Sequence, residues 1–192
     1  MTFVFIKSSK SHNSQLLEKT TKDPFTNLYN KNSAKILINR TISSFPTGNQ
    51  HAFFIIDIDN FKSINDTYGH GAGDEVILRL ANIFLSNFRT QDIPCRIGGD
   101  EFVILMTNIG NIEEVKNKAK LVIKEFMEVI KELNYIKNVT LSIGIAITPQ
   151  NGVTFEELYK HADVALYSRK NYGKNGFNFY NKKTIYCQSA RS

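Results

Sequence analysis

Cysteine is scarce in this sequence: Cys95 and Cys187 are the two found in 192 residues, too few for a disulfide framework or a metal cluster. Long apolar runs are missing as well. The longest, such as Ala52–Ile56 and Phe102–Met106, fall far short of the roughly 18 residues that a membrane span needs. Thr2–Ile6 is apolar but lacks the charged leader and extended apolar stretch of a signal peptide. No low-complexity tract, internal repeat or linker divides the chain. The expected location is therefore the cytoplasm.

Acidic residues are also outnumbered, 18 Asp+Glu against 24 Lys+Arg, for a formal charge of +6. Such a surplus suits a nucleic-acid binder, a membrane-surface binder or a protein that handles small anions. Its placement narrows the choice. Residues 160–192 carry seven basic residues (Lys160, Arg169, Lys170, Lys174, Lys182, Lys183 and Arg191) against Asp163 alone. The rest of the chain balances at 17 basic and 17 acidic residues. A neutral body without a recognisable nucleic-acid motif or aromatic-basic stripe argues against a polymeric nucleic acid as partner.

What the sequence does hold, 42% hydrophobic and 22% charged residues, is enough for one compact domain. Residues 1–20 are polar and weakly patterned, an arm or connector, and pattern fades again in a tail over 182–192. Between them, over 21–181, helical and strand-like periods alternate. Asn32–Ser43 has helical spacing, Ala52–Ile58 is a buried strand, and Phe61–Thr67 is a short helix ended by Gly69. Asp74–Phe88 places Val76, Ile77, Leu80, Ile83 and Phe84 on one face of a helix. Ile93–Ile97 and Phe102–Met106 flank Gly98-Gly99-Asp100-Glu101 as a tight hairpin. A long helix follows from Val115 to Leu133, then a strand over Val139–Ile147. Thr154 and Glu157 form a capping box that opens another helix, and Phe177–Tyr180 is an edge strand. A hairpin inside the sheet predicts an α+β layer fold with a mostly antiparallel sheet covered by helices, not a doubly wound parallel one.

Three groups of residues carry chemistry. Asp57 and Asp59 close the first long strand; residues at i and i+2 share a face, and their charge places them near the strand's mouth, as a solvated strand end or as Mg²⁺ ligands. Gly98-Gly99-Asp100-Glu101 is either a solubilising turn or, with glycines that let a ligand approach the backbone, a second acidic cluster. If the two strands are neighbours, Asp57 and Asp100 jointly hold metal ions for a phosphoryl transfer. Between them, Asn65 and Asp74 have the donor and acceptor groups that guanine's edge requires, although Asp74 equally serves as a helix cap and Asn65 as a turn residue. His70 fits a structural hydrogen-bonding role as readily as a pocket.

The run Arg96-Ile97-Gly98-Gly99-Asp100-Glu101-Phe102 resembles the signature of the GGDEF family of diguanylate cyclases. So do Asp23-Pro24-Phe25-Thr26-Asn27-Leu28-Tyr29-Asn30-Lys31, with lysine at 31 where arginine is common and asparagine at 27 where glycine is. Asp57-Ile58-Asp59-Asn60-Phe61-Lys62, Asn65-Asp66, Gly69-His70, Gly73-Asp74 and Leu141–Ala146 follow in order. The last block runs from Asp163-Val164-Ala165-Leu166-Tyr167 through Lys170, Gly173, Lys174 and Asn175, with Lys174 where arginine is frequent. The resemblance spans roughly residues 20–181.

It implies a sheet of the nucleotidyl-cyclase or polymerase-palm kind with a ferredoxin-like core, and an enzyme that condenses two GTP molecules into cyclic di-GMP with release of pyrophosphate. It implies Mg²⁺ (or Mn²⁺), two ions per site, on Asp57, Asp100 and the Ile58 carbonyl, with Asp100 as general base and Glu101 in support. It further implies guanine contacts from Asn65 and Asp74 with His70 shaping the pocket, and phosphate contacts from Phe61, Lys62, Lys170 and Lys174. Lysine at 174 keeps the charge but not arginine's bidentate fork. Arg89 and Asp92, elsewhere an ordinary ion pair, stand where the family holds inhibitory product. Turnover requires a homodimer, so the chain is either a piece of a longer, membrane-anchored or sensor-linked protein or one that dimerises weakly. A rival expectation is a catalytically weak GGDEF module that binds GTP or cyclic di-GMP and regulates a partner or neighbouring domain.

Overall fold

The computed structural model describes residues 21–182 except 47 and 135; the expected arm, and the tail beyond residue 182, lie outside them. In chain order the elements are β1 (Tyr29–Asn30), α1 (Lys31–Ser44), β2 (His51–Asp59), α2 (Phe61–Tyr68), α3 (His70–Asn87), β3 (Ile93–Gly98), β4 (Glu101–Met106), α4 (Ile112–Glu132), β5 (Thr140–Thr148), α5 (Phe155–Asn171) and β6 (Gly176–Phe179).

The strands form one sheet in the order β1-β3-β4-β2-β5-β6. The three inner ladders, β3–β4, β4–β2 and β2–β5, are antiparallel, and the two outer ones, β1–β3 and β5–β6, are parallel. The expected mostly antiparallel sheet is therefore present. The two-residue β1 has too little sequence to show a period and was not anticipated.

Both faces of the sheet are covered, which is why its central strands are almost continuously apolar rather than alternating. Phe54, Ile56, Phe102 and Ile143 pack on one face against Val76, Leu80 and Phe84 of α3 and Val115 and Phe126 of α4. Phe53, Ile55, Val103 and Ala146 pack on the other against Ala34 and Ile38 of α1 and Leu158, Ala162 and Leu166 of α5. Truncating a fully buried phenylalanine such as Phe84 costs about 3–5 kcal/mol at sites of this kind.

Three local features set the site. Helix α3 begins at His70, four residues ahead of the expected start, so Asp74 lies inside the helix and is not its cap. Gly69, at φ 83°, ends α2 through its N–H to the Asn65 carbonyl and starts α3 directly. Gly71 and Gly73 lower helix propensity, but packing overrides it: a Cβ at Gly73 would overlap the Asn65 side chain. Second, Gly144 of β5 lies so close to α5 that a Cβ would overlap the Ala162 carbonyl and the Leu166 backbone. Third, Thr154 caps α5 by accepting from the Glu157 N–H, while Glu157 accepts from the Val153 N–H at 2.9 Å.

Candidate active site

β2 and β4 pair with Asp57 opposite Glu101, and this register brings the two acidic clusters together at one end of the sheet. Asp57 is half-buried, and Lys170, near the end of α5, reaches it with Nζ 2.7 Å from Oδ1. Burial raises the Asp57 pKa; Lys170 opposes that shift, and the charges of Asp100 and Asp59 add to it. Asp100 lies in the turn immediately before Glu101, the residue that pairs with Asp57.

Asp59 has a different fate. It is 2% exposed, and takes hydrogen bonds from Thr140 Oγ1 at 2.6 Å, Ser142 Oγ at 2.8 Å and the Asn175 N–H at 3.2 Å. The expectation that both carboxylates lie near the strand's mouth fails for Asp59. A buried carboxylate is tolerable when its lone pairs are filled, and hydroxyls from β5 fill them. Asp59 ties β2 and β5 to the segment that carries Lys174.

A second group of polar and basic residues assembles around the start of α2. Asn60 precedes it in the left-handed region at φ 62°, and no side chain caps the helix. The first N–H groups of a helix lack intrahelical partners and favour an anion; here they belong to the turn of Phe61 and Lys62. Lys174, also left-handed at φ 57°, places Nζ 2.7 Å from Asn60 Oδ1. Asn60 in turn donates to the Asn138 carbonyl at 2.7 Å. The folded chain therefore brings Asp57, Lys170, Lys174 and the α2 N-terminus together from segments more than 100 residues apart in sequence.

On the far side of α2, Asn65 packs against Phe61 and Gly73, and exposed Asp74 is the residue after Gly73. Asn65 thus borders the α2–α3 corner, Asp74 is exposed one residue beyond it, and His70 stands exposed at the first position of α3. Ile58 is buried in β2, opposite Leu141.

The hairpin tip bends at Gly99, whose φ of 51° suits glycine. Arg96 fixes it, donating to the Gly99 carbonyl from Nε at 3.1 Å and Nη2 at 2.9 Å. The same guanidinium lies 3.4 Å from Asp23 and over the Phe25 ring. Asp23 and Arg96 belong to separate sequence blocks, and pairing them was beyond sequence reasoning. Glu101 accepts a hydrogen bond from the Tyr159 hydroxyl on α5, and burial with that carboxylate raises the tyrosine pKa. Tyr159 was missed because helical spacing alone marks it as one more core-facing residue.

Arg89 and Asp92 lie together before β3. Asp92 is 4% exposed, with Oδ2 accepting from the Arg89 N–H and Oδ1 from the Thr107 N–H, each at 2.8 Å. The Arg89 guanidinium is exposed and pairs with Glu114 at 2.8 Å. Arg89 and Glu114 border a surface cavity of about 590 Å³ with Lys118 and Leu121.

The donor set fits a small hard cation. Carboxylates at the end of β2 and in the turn before β4, with a neighbouring backbone carbonyl, suit Mg²⁺, which completes its shell with water and phosphate oxygens. The Lys170 ammonium on Asp57 stands where positive charge is favoured. Among the described residues no group of three or more His, Cys, Asp or Glu that could hold a metal ion forms.

A sheet with antiparallel centre and parallel edges, an acidic pair on adjoining strands, and lysines from the last helix and from the turn after it define a nucleotidyl-cyclase-type domain. The family profile described as diguanylate cyclase, GGDEF domain, matches residues 20–176, and the chain belongs to that family. Among its relatives, the response regulator PleD of Caulobacter vibrioides is 33% identical over 174 residues, 89% of this chain and 38% of PleD. The diguanylate cyclase DosC of Escherichia coli is 34% identical over 155 residues, 80% of this chain and 34% of DosC. This chain thus spans about a third of the length of these relatives. The solved GGDEF domain of TpbB (YfiN) from Pseudomonas aeruginosa superposes with a TM-score of 0.78 at 26% identity, covering 88% of this chain and 99% of that one. The GGDEF domain of DgcB from Caulobacter crescentus, solved with cyclic di-GMP, gives 0.71 at 26% identity over 83% and 95%. No helix of the described residues is long and apolar enough to cross a membrane.

Proposed function

We propose that this chain is a diguanylate cyclase, joining two GTP molecules into cyclic di-GMP with release of two pyrophosphates. One observation carries the reading: Asp57, paired across the sheet with Glu101 of the acidic turn, meets Lys170 just ahead of the uncapped α2 N-terminus, where Lys174 holds Asn60. That combination matches a nucleoside triphosphate and its counter-cation. Names among the relatives agree with it.

Lys170 and Lys174 grip the β- and γ-phosphates, and the backbone of Phe61 and the Lys62 ammonium close the cradle. Asn65 and Asp74 read the guanine edge, with His70 at the mouth of that pocket. Asp57, Asp100 and the Ile58 carbonyl would hold Mg²⁺ or Mn²⁺, two ions per site, which when bound would offset phosphate charge and lower the pKa of the 3′-hydroxyl. Asp100 accepts the 3′-hydroxyl proton as that oxygen bonds to the α-phosphorus of the second GTP and pyrophosphate leaves. Glu101 keeps that end of the site in place.

One domain holds one GTP, whereas the ring needs two phosphodiester bonds. Two copies therefore face each other, and holding the reactants in line supplies much of the rate. Product inhibition belongs to the same reading: cyclic di-GMP binds at Arg89 beside Asp92. Since the Asp92 oxygens already serve the protein backbone, the Arg89 guanidinium is the side chain within easiest reach, and product displaces Glu114 from it.

Incubating the chain with GTP and Mg²⁺ at concentrations that favour association, then separating the nucleotides, tests the proposal. Cyclic di-GMP is the expected product, and Asp100→Asn is expected to lower turnover by about 10²–10⁴-fold, the usual contribution of a general base. Nucleotide binding without product would identify the regulatory module instead.

A further inference from the structure

Glu101 is the one signature acid whose side chain is tethered to a helix far along the chain. It opens β4 directly opposite Asp57, half-buried, and its carboxylate accepts a hydrogen bond from the Tyr159 hydroxyl. Tyr159 is on the second turn of α5, eleven residues before Lys170, which holds Asp57 from the same helix. One helix thus reaches both acids of the pair with two side chains of different chemistry.

The tyrosine ring is itself fixed. It stacks on Phe155 at 5.7 Å with an interplanar angle of 28°, and meets Phe53 edge-on at 6.5 Å. Phe53 is fully buried in the middle of β2. Two ring contacts leave the phenol little rotational freedom, so its oxygen is a rigid post. A glutamate side chain has three torsions and loses much entropy when held in one arrangement. A post at its end selects that arrangement before substrate arrives.

We propose that Tyr159 is a positioning residue for Glu101, fixing the carboxylate beside Asp57 so that the metal-binding end of the site is preorganised. The inference rests on the cyclase reading and adds to it a residue that the GGDEF signature does not contain. The competing role is packing alone: the ring fills space between α5 and the sheet, and its hydroxyl takes the nearest acceptor. The two roles diverge when the hydroxyl is removed and the ring is kept.

Tyr159→Phe makes that change. Hydrogen bonds to charged groups contribute about 1.5–3 kcal/mol, so kcat for cyclic di-GMP synthesis is expected to fall roughly 10- to 100-fold. KM for GTP should stay within about twofold, because neither the phosphate nor the guanine contacts involve Tyr159. A second measurement is independent of turnover: urea unfolding of the wild type, Tyr159→Phe, Glu101→Gln and the double variant. Coupling between the two substitutions is expected, since each removes the same contact.

Wild-type kcat in Tyr159→Phe would overturn the positioning role, and so would additive unfolding free energies. A fall in kcat matched by an equal rise in KM would also overturn it, pointing to general disruption of the site. If the wild type makes no cyclic di-GMP, the cyclase reading fails first. The unfolding cycle then decides by itself whether the phenol holds Glu101.

Discussion

Asp57 and Asp59 stand two residues apart on one strand and do different work. Asp59 is enclosed by Thr140, Ser142 and the Asn175 N–H, whereas Asp57 stays partly exposed and meets Lys170. Nothing in the tripeptide separates them, because the deciding hydroxyls come from a strand more than 80 residues later. His51, at the other end of β2, makes a residue-scale prediction. Its Nδ1 accepts from the Asn108 N–H at 3.0 Å, its ring meets Phe45, and burial lowers its pKa. A histidine with a native pKa below its unfolded one gains a proton on unfolding. Its contribution to stability is complete above pH of about 6.5 and is lost as pH falls toward the lower native pKa. Urea midpoints measured between pH 8 and 5 should therefore decline on the acid side, and His51→Gln should flatten that decline. An equal decline in the variant would place the acid sensitivity elsewhere.

At the scale of elements, the seating of α5 on β5 carries the most weight, because that helix delivers both Lys170 and Tyr159. Gly144 is the contact that permits it. Gly144→Ala forces the helix outward, and the cost is expected at or above the upper end of the ~1–3 kcal/mol typical of overpacking. Thermal unfolding should show a drop in Tm, and GTP turnover should fall more steeply than Tm alone explains. An unchanged Tm would mean that α5 can shift freely and that Gly144 does not set its seat. The sequence disclosed α5 through its capping box and apolar spacing, yet gave no sign that Gly144 was the point of closest approach. It misplaced the start of α3 for a related reason: Gly71 and Gly73 look like a loop until Asn65 is known to pack against the second of them.

For the whole molecule acting as the proposed cyclase, one GTP per chain and two bonds per product make the rate a property of the pair. Specific activity is expected to rise with protein concentration, approaching proportionality at concentrations well below the dimer's dissociation constant. Dilution with parallel assay at each concentration checks it; constant specific activity down to the monomer would exclude the facing-pair mechanism. The same assay with added cyclic di-GMP reads the second surface. Arg89→Ala should raise the inhibitory concentration several-fold while leaving the uninhibited rate unchanged, and an unchanged inhibitory concentration would remove Arg89 from the product site. The charge surplus also acquires a location. Lys170 meets Asp57 and Lys174 meets Asn60, at the proposed phosphate cradle, while Lys183 and Arg191 lie outside the described residues.

Sequence by itself determined the longer elements, though not β1 or the start of α3, that the sheet would be mostly antiparallel, and which residue types recur in family order. These follow from local periodicity, turn chemistry and motif spacing, all of which act over a few residues. Tertiary structure alone decided that Asp59 braces the fold while Asp57 stays partly exposed, that Arg96 clasps Asp23, that Asp92 is committed to its own backbone and that Tyr159 reaches Glu101. Each of those outcomes depends on which distant donor first fills a buried acceptor. That competition is settled by strand register and helix seating, and neither is written in any short stretch of the chain.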